Sequence, residues 1–168
     1  MVYGMSLSAF TALHTILSLA GIAAGIVALF GMIGGRLLRG WTWLFLFTTI
    51  LTSVTGYGFP ADHILPSHIV GAISLAVLAL ALIALYGRHL SGGWRWVYVV
   101  TATVALYLNS FVGVVQAFRK IPALQALAPT QSEPPFQIAQ LAALAIFAVL
   151  GFLAVRRFHP ERAAAVAA

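Results

Sequence analysis

The sequence predicts an all-α integral membrane protein, a helical bundle of five transmembrane helices. Three observations predict it. Hydrophobic residues fill 62% of the 168 positions and charged residues 7%, with a mean hydropathy of +1.02; soluble domains carry about a quarter charged residues. Separate apolar runs reach the ~20 residues that cross about 30 Å of hydrocarbon as helix. None of them alternates apolar and polar residues as a barrel strand does.

Taken in order, the runs place spans at about 7–34, 41–59, 67–87, 95–118 and 136–155, in a single transmembrane domain over 1–168. The opening "MVYGMSLSAF" has no basic segment, and its apolar run outlasts a signal peptide. It is expected to begin the first span and to be retained. Gly, Pro and Ser punctuate the connections "GGRLLRG", "PADHILPS", "GRHLSGG" and "RKIPALQALAPTQSEPPF".

Basic residues set the orientation, because cytoplasmic loops carry the Lys/Arg excess. Arg36, Arg39, Arg88, Arg95, Arg156, Arg157 and Arg162 fall on one side, against Arg119 and Lys120 on the other. The expected topology is N-terminus out and C-terminus in, in a bacterial inner (cytoplasmic) membrane. Trp41, Trp43, Trp94 and Trp96 then belong to the inner aromatic belt. The formal +6 charge is explained by these helix-end residues, and no nucleic-acid partner is expected. The partners expected are the lipid bilayer and a homodimer or larger membrane complex.

Spans 1-2 and 3-4 read as a tandem hairpin repeat. Each copy has a histidine near its start, an apolar helix, a Gly/Arg turn and then Trp-x-Trp: "GWTW" at 40–43 and "GWRW" at 93–96. His14 lies 27 residues before Trp41, and His68 lies 26 before Trp94. Thr48 and Thr101 also correspond. In an up-down-up-down bundle, spans one and three are diagonal neighbours whose inward faces are expected to meet. His14 and His68 then sit at one depth near the outer interface, since one residue is about 1.5 Å of rise.

No cysteine occurs, which excludes disulfides, thiolate nucleophiles and Cys-ligated metals. The acids lie at the rims, which argues against an intramembrane hydrolase, and no charge is buried mid-span as in ion-coupled carriers. Two imidazoles facing across a bundle can ligate a haem iron from both sides, so His14 and His68 are haem axial ligand candidates and haem b the candidate cofactor. Each can equally be an interfacial polar residue hydrogen-bonded to Ser, Thr or water. His63 and Asp62, with the other two histidines, form a weaker zinc or copper candidate. His89 and His159 are expected to be solvated.

Polar residues continue along the outer halves of the later spans. Asn109, Ser110, Gln116, Gln137 and Gln140, with Tyr57, Tyr107 and Glu133, suggest an outward pocket able to take a quinone head group or another small ligand. Their bland reading is helix-to-helix glue, at about 0.6–2 kcal/mol per bond. Thr48, Thr52 and Thr55 form such a stripe on span two. Gly21 and Gly25 are a small-xxx-small pair, for close packing within the bundle or in a homodimer. The long fourth connection either caps the histidine end as a short helix or only covers distance.

A histidine early in span one, with "GRLLRGWTW", "SHIVGAISL", "GGWRWVYV", "YLNSFVGVVQAFRKIPAL" and "LAPTQSEPPF", resembles a family of small, uncharacterised bacterial inner-membrane proteins over nearly the whole chain. That resemblance implies a multi-span fold and carries no activity. More distantly, a four-helix core with outer histidines is similar to di-haem cytochromes of the b561 type. The resemblance implies electron transfer, but the second histidine pair at cytoplasmic depth is missing here. Two functions are therefore carried forward: haem b-binding or quinone-linked electron transfer, and a non-enzymatic accessory subunit or small-ligand binder. Whether the protein is an enzyme is left open.

Overall fold

The computed structural model describes residues 4–61 and 63–160. They are helical almost throughout: α1 (Leu7–Ile33), α2 (Arg39–Gly56), α3 (Pro66–Leu82), α4 (Trp94–Lys120), α5 (Pro122–Leu127) and α6 (Pro134–Arg157). A π-helical turn, Ile83–Gly87, continues α3. Proline opens α3, α5 and α6, where its fixed φ suits the first turn and its missing N–H costs nothing. Ser6 caps α1 by accepting from the Ala9 N–H at 3.2 Å. Gly35, at φ +74°, lets the chain reverse between α1 and α2.

Among the described residues four helices are long and apolar enough to cross a membrane: Leu7–Ile33, Pro66–Gly87, Trp94–Lys120 and Pro134–Arg157. Helix α2 is not among them, because Arg39 and the threonines 42, 48, 49, 52 and 55 dilute its 18 residues. It nevertheless packs between α1 and α3, and α4 closes the ring against α1 and α3. Helix α6 lies outside the ring against α1 and α4 and buries only Ala154. Its outward residues, including Ile138, Leu141, Ile146 and Phe152, are more than half exposed. In a bilayer such a surface meets lipid.

Because lipid tails are as apolar as leucine, helices in a bilayer associate through close packing and hydrogen bonds rather than hydrophobic burial. Small residues accordingly fill the contacts: Ala24, Ala28, Ala81, Ala84, Ala102, Ala105 and Ala154 are at most 3% exposed. A Cβ on Gly25 would stand 2.7 Å from the Phe45 ring and 2.6 Å from Leu106. One on Gly21 would stand 2.9 Å from Thr49 Oγ1. The glycine pair therefore faces α2 and α4 within this chain. Larger apolar residues, Leu29, Phe45, Leu78, Tyr98, Leu106 and Phe158, complete the core.

The core is unequal along its length. Diagonal helices α2 and α4 touch, but α1 and α3 share no comparable contact, so their inward faces do not meet directly. Space is left at the end where α1 and α3 begin. At the opposite end, Arg95 donates to the carbonyls of Val155, at 3.2 Å, and Phe158, finishing α6.

Candidate functional site

A cavity of about 460 Å³ lies at the end where α1 and α3 begin and α4 finishes. His14, His68, Ser18, Ser67 and Gln116 supply polar lining, Leu19, Ile22 and Phe59 apolar lining, and among the described residues Arg119 and Lys120 supply the charge. Beneath it a smaller chamber of about 70 Å³ is lined by Thr52, Ser53, Ser74 and Asn109. His14, Gly56, Ser67 and Val112 line both.

Helical spacing explains the His14 wall. Thr11, His14, Thr15 and Ser18 recur at intervals of three and four and so share one face of α1. Across the gap, Thr55 Oγ1 lies 2.8 Å from His14 Nδ1. The Thr55 hydroxyl gives its proton to the Leu51 carbonyl at 2.7 Å, so it accepts from His14. The His14 Nδ1 therefore carries the proton and Nε2 keeps its lone pair. Phe59 meets the imidazole edge-on, with centroids 5.1 Å apart.

His68 has the opposite tautomer. A backbone N–H can only donate, and that of Leu65 reaches His68 Nδ1 at 3.3 Å. Neutral His68 thus carries its proton on Nε2, which is buried and has no partner among the described residues. Such an unsatisfied donor costs about 1–3 kcal/mol. Tyr57 fixes the ring: the two rings stack with centroids 5.3 Å apart, and the Tyr57 hydroxyl donates to the His68 carbonyl at 2.7 Å. Gly71 makes room, since a Cβ there would already touch the Tyr57 ring at 3.4 Å.

The other sequence candidates divide. Asn109 is buried beside the chamber and exchanges hydrogen bonds with Ser18, while Gln116 lines the outer cavity. Gln137 and Gln140 line neither cavity. Gln137 Nε2 donates to the Ser132 carbonyl at 2.7 Å, and Gln140 Nε2 donates to the Phe111 carbonyl at 3.2 Å, tying α6 to α4. Tyr107 packs against Phe147, also on the α6 side. Helix α5 packs on α4 without lining the cavity.

His63 is exposed, and Asp62 lies outside the described residues. Among the described residues no group of three or more His, Cys, Asp or Glu could hold a metal ion. Sequence reasoning missed Ser18, although it lies one turn from His14 on the same face. It also counted Arg119 and Lys120 only as topology signals. Their position on the side poor in basic residues was the available clue.

Comparison with family models, with curated protein sequences and with solved structures finds no match to this chain. The class defined by the described residues is an all-helical protein with four helices long and apolar enough to cross a membrane and an imidazole-lined cavity at one end.

Proposed function

We propose that the protein is a five-span inner-membrane protein that binds a quinone-type head group in the cavity at its outer end. One observation carries the reading: two imidazoles on one cavity, His14 with an acceptor at Nε2 and His68 with an unsatisfied donor at Nε2. A quinone carbonyl accepts a hydrogen bond and a quinol hydroxyl donates one, so the pair suits both redox forms. The volume of about 460 Å³ suits a small ligand. Leu19 and Ile22 offer apolar contact for the rest of such a molecule.

The membrane topology belongs to the same proposal. Helix α2, though diluted by threonine, turns its hydroxyls to its own carbonyls, as Thr48, Thr52 and Thr55 do, which suits a fifth span. A duplicated hairpin is supported by matching bonds: Thr48 donates to Leu44 and Phe45, and Thr101 to Val97 and Tyr98. The arginine-rich end is taken as cytoplasmic, in a bacterial inner membrane, which puts the cavity outside.

Haem b is the competing occupant, since the same two histidines line the cavity. Metal-ligating histidines normally donate their other ring N–H to an acceptor. His14 meets that requirement through Thr55, whereas His68 accepts at Nδ1 and would have to give up the Leu65 bond. The fit favours the quinone.

Calorimetric titration of the purified protein with a short-chain quinone tests this. Saturable one-site binding is expected, weakened about tenfold or more in His14→Ala and His68→Phe, as for loss of a buried bond. No binding, or equal binding in both variants, overturns it. Sharp Soret and α bands on dithionite reduction, lost in the same variants, would assign haem instead.

A further inference from the structure

The cavity has a second chemical feature that a neutral head group does not use. Arg119 and Lys120 both line it, and among the described residues no carboxylate does. Among the described residues neither cation has an ion-pair or hydrogen-bond partner. The described acid of the adjoining loop is otherwise engaged: Glu133 accepts from the Thr130 N–H and hydroxyl and from the Ser132 N–H at 2.9–3.1 Å.

We propose that Arg119 and Lys120, at the mouth of the cavity, form a binding site for a phosphate group. Position argues for it. The remaining described arginines, at 36, 39, 88, 95, 156 and 157, belong to the opposite end of the bundle, where the positive-inside rule accounts for them. Arg119 and Lys120 stand at the other end, where topology gives no reason for basic residues. One cation in the last turn of α4 would serve its dipole; two lining one cavity exceed that need.

Chemistry agrees with position. A guanidinium offers paired N–H donors that match two phosphate oxygens, and an ammonium adds a compact charge beside it. Gln116 contributes a carboxamide on the same wall, and Ser67 a hydroxyl to the lining. Thr11 and Thr15 spend their protons on Leu7 and Thr11 carbonyls, so these two threonines offer an anion no donor. Either a phospholipid head group or a free phosphate supplies the required oxyanion. The site shares the cavity with the proposed quinone but does not depend on it.

The test is thermal unfolding of the protein in an uncharged detergent, with inorganic phosphate titrated against chloride at equal ionic strength. It is paired with lipid retention in nanodiscs of phosphatidylglycerol and phosphatidylcholine. Saturable stabilisation by phosphate, weakened about tenfold or more in the Arg119→Gln/Lys120→Gln variant, assigns a free oxyanion. No phosphate response but selective retention of phosphatidylglycerol, lost in that variant, assigns the lipid phosphate. Neither response, or an equal response in the variant, overturns the proposal. If the double variant does not fold, Arg119→Gln and Lys120→Gln are read singly by the same criteria. His14→Ala should keep the phosphate response even where it abolishes quinone binding, so the two readings fail separately.

Discussion

Ser18 and Asn109 hold each other by a reciprocal pair: Ser18 Oγ donates to Asn109 Oδ1 at 2.8 Å, and Asn109 Nδ2 donates to the Ser18 carbonyl at 3.3 Å. The pair joins α1 to α4 where the outer cavity meets the inner chamber. Asn109→Ala removes both bonds and should lower stability by about 0.6–2 kcal/mol, the range for interhelical bonds in membranes. A double-mutant cycle with Ser18→Ala, read by thermal unfolding in detergent, checks it. Independent, additive losses would mean that the two residues do not act as a pair.

The glycines of α1 give a second expectation. Gly25→Ala would press a methyl against the Phe45 ring and Leu106, and this overpacking should cost about 1–3 kcal/mol. Oligomeric size by light scattering should not change, because the Gly25 face is already covered within the chain. A change of size at unaltered stability would place the glycines at an interface between copies.

These residues also mark how far the sequence could be read. Apolar run length located the five long helices to within a few residues, because Gly, Pro and Ser punctuate the connections between them. The histidines were singled out by their matching place before each Trp-x-Trp, but the polar face that Thr11, Thr15 and Ser18 share with His14 was not read. Gln137 and Gln140 were grouped with the pocket because i and i+3 share a helix face, yet spacing cannot say which neighbour that face meets. Gln140 meets the far side of α4 at Phe111. The π-turn at Ile83–Gly87 gave no signal either, since its residues continue the same apolar run.

Arg95 should govern the far end of the molecule. It donates to the Val155 and Phe158 carbonyls, which α6 leaves open as it ends. Arg95→Ala should cost about 1–3 kcal/mol and loosen the last turn. The natural chain has no cysteine, so a single cysteine placed at Ala154, buried in the parent, gives a clean accessibility probe. Faster maleimide labelling in the Arg95→Ala background is expected. An unchanged rate would mean that packing of Phe158 alone holds α6.

The loop before α6 should respond to acid. Desolvation pushes the Glu133 carboxyl upward, but hydrogen bonds from the Thr130 N–H and hydroxyl and the Ser132 N–H outweigh it and hold it below its ordinary 4.5. A depressed carboxyl stabilises the fold above the unfolded value, and that contribution is lost as pH falls through the folded one. The Thr130 and Ser132 amide resonances should therefore titrate below pH 4.5, and Glu133→Gln should abolish the titration. A midpoint at or above 4.5 would contradict the bonding.

His68 separates stability from function most sharply. Its Nε2–H is buried without a partner among the described residues, an uncompensated cost. Phenylalanine keeps the stack on Tyr57 and removes that donor, while giving up the bond from Leu65 to Nδ1. The two effects oppose each other, so thermal stability in His68→Phe should stay within about 1 kcal/mol of the parent. Quinone binding should fall about tenfold or more in the same variant. A large loss of stability, with binding per folded molecule preserved, would make His68 a helix-capping residue and leave the cavity to His14.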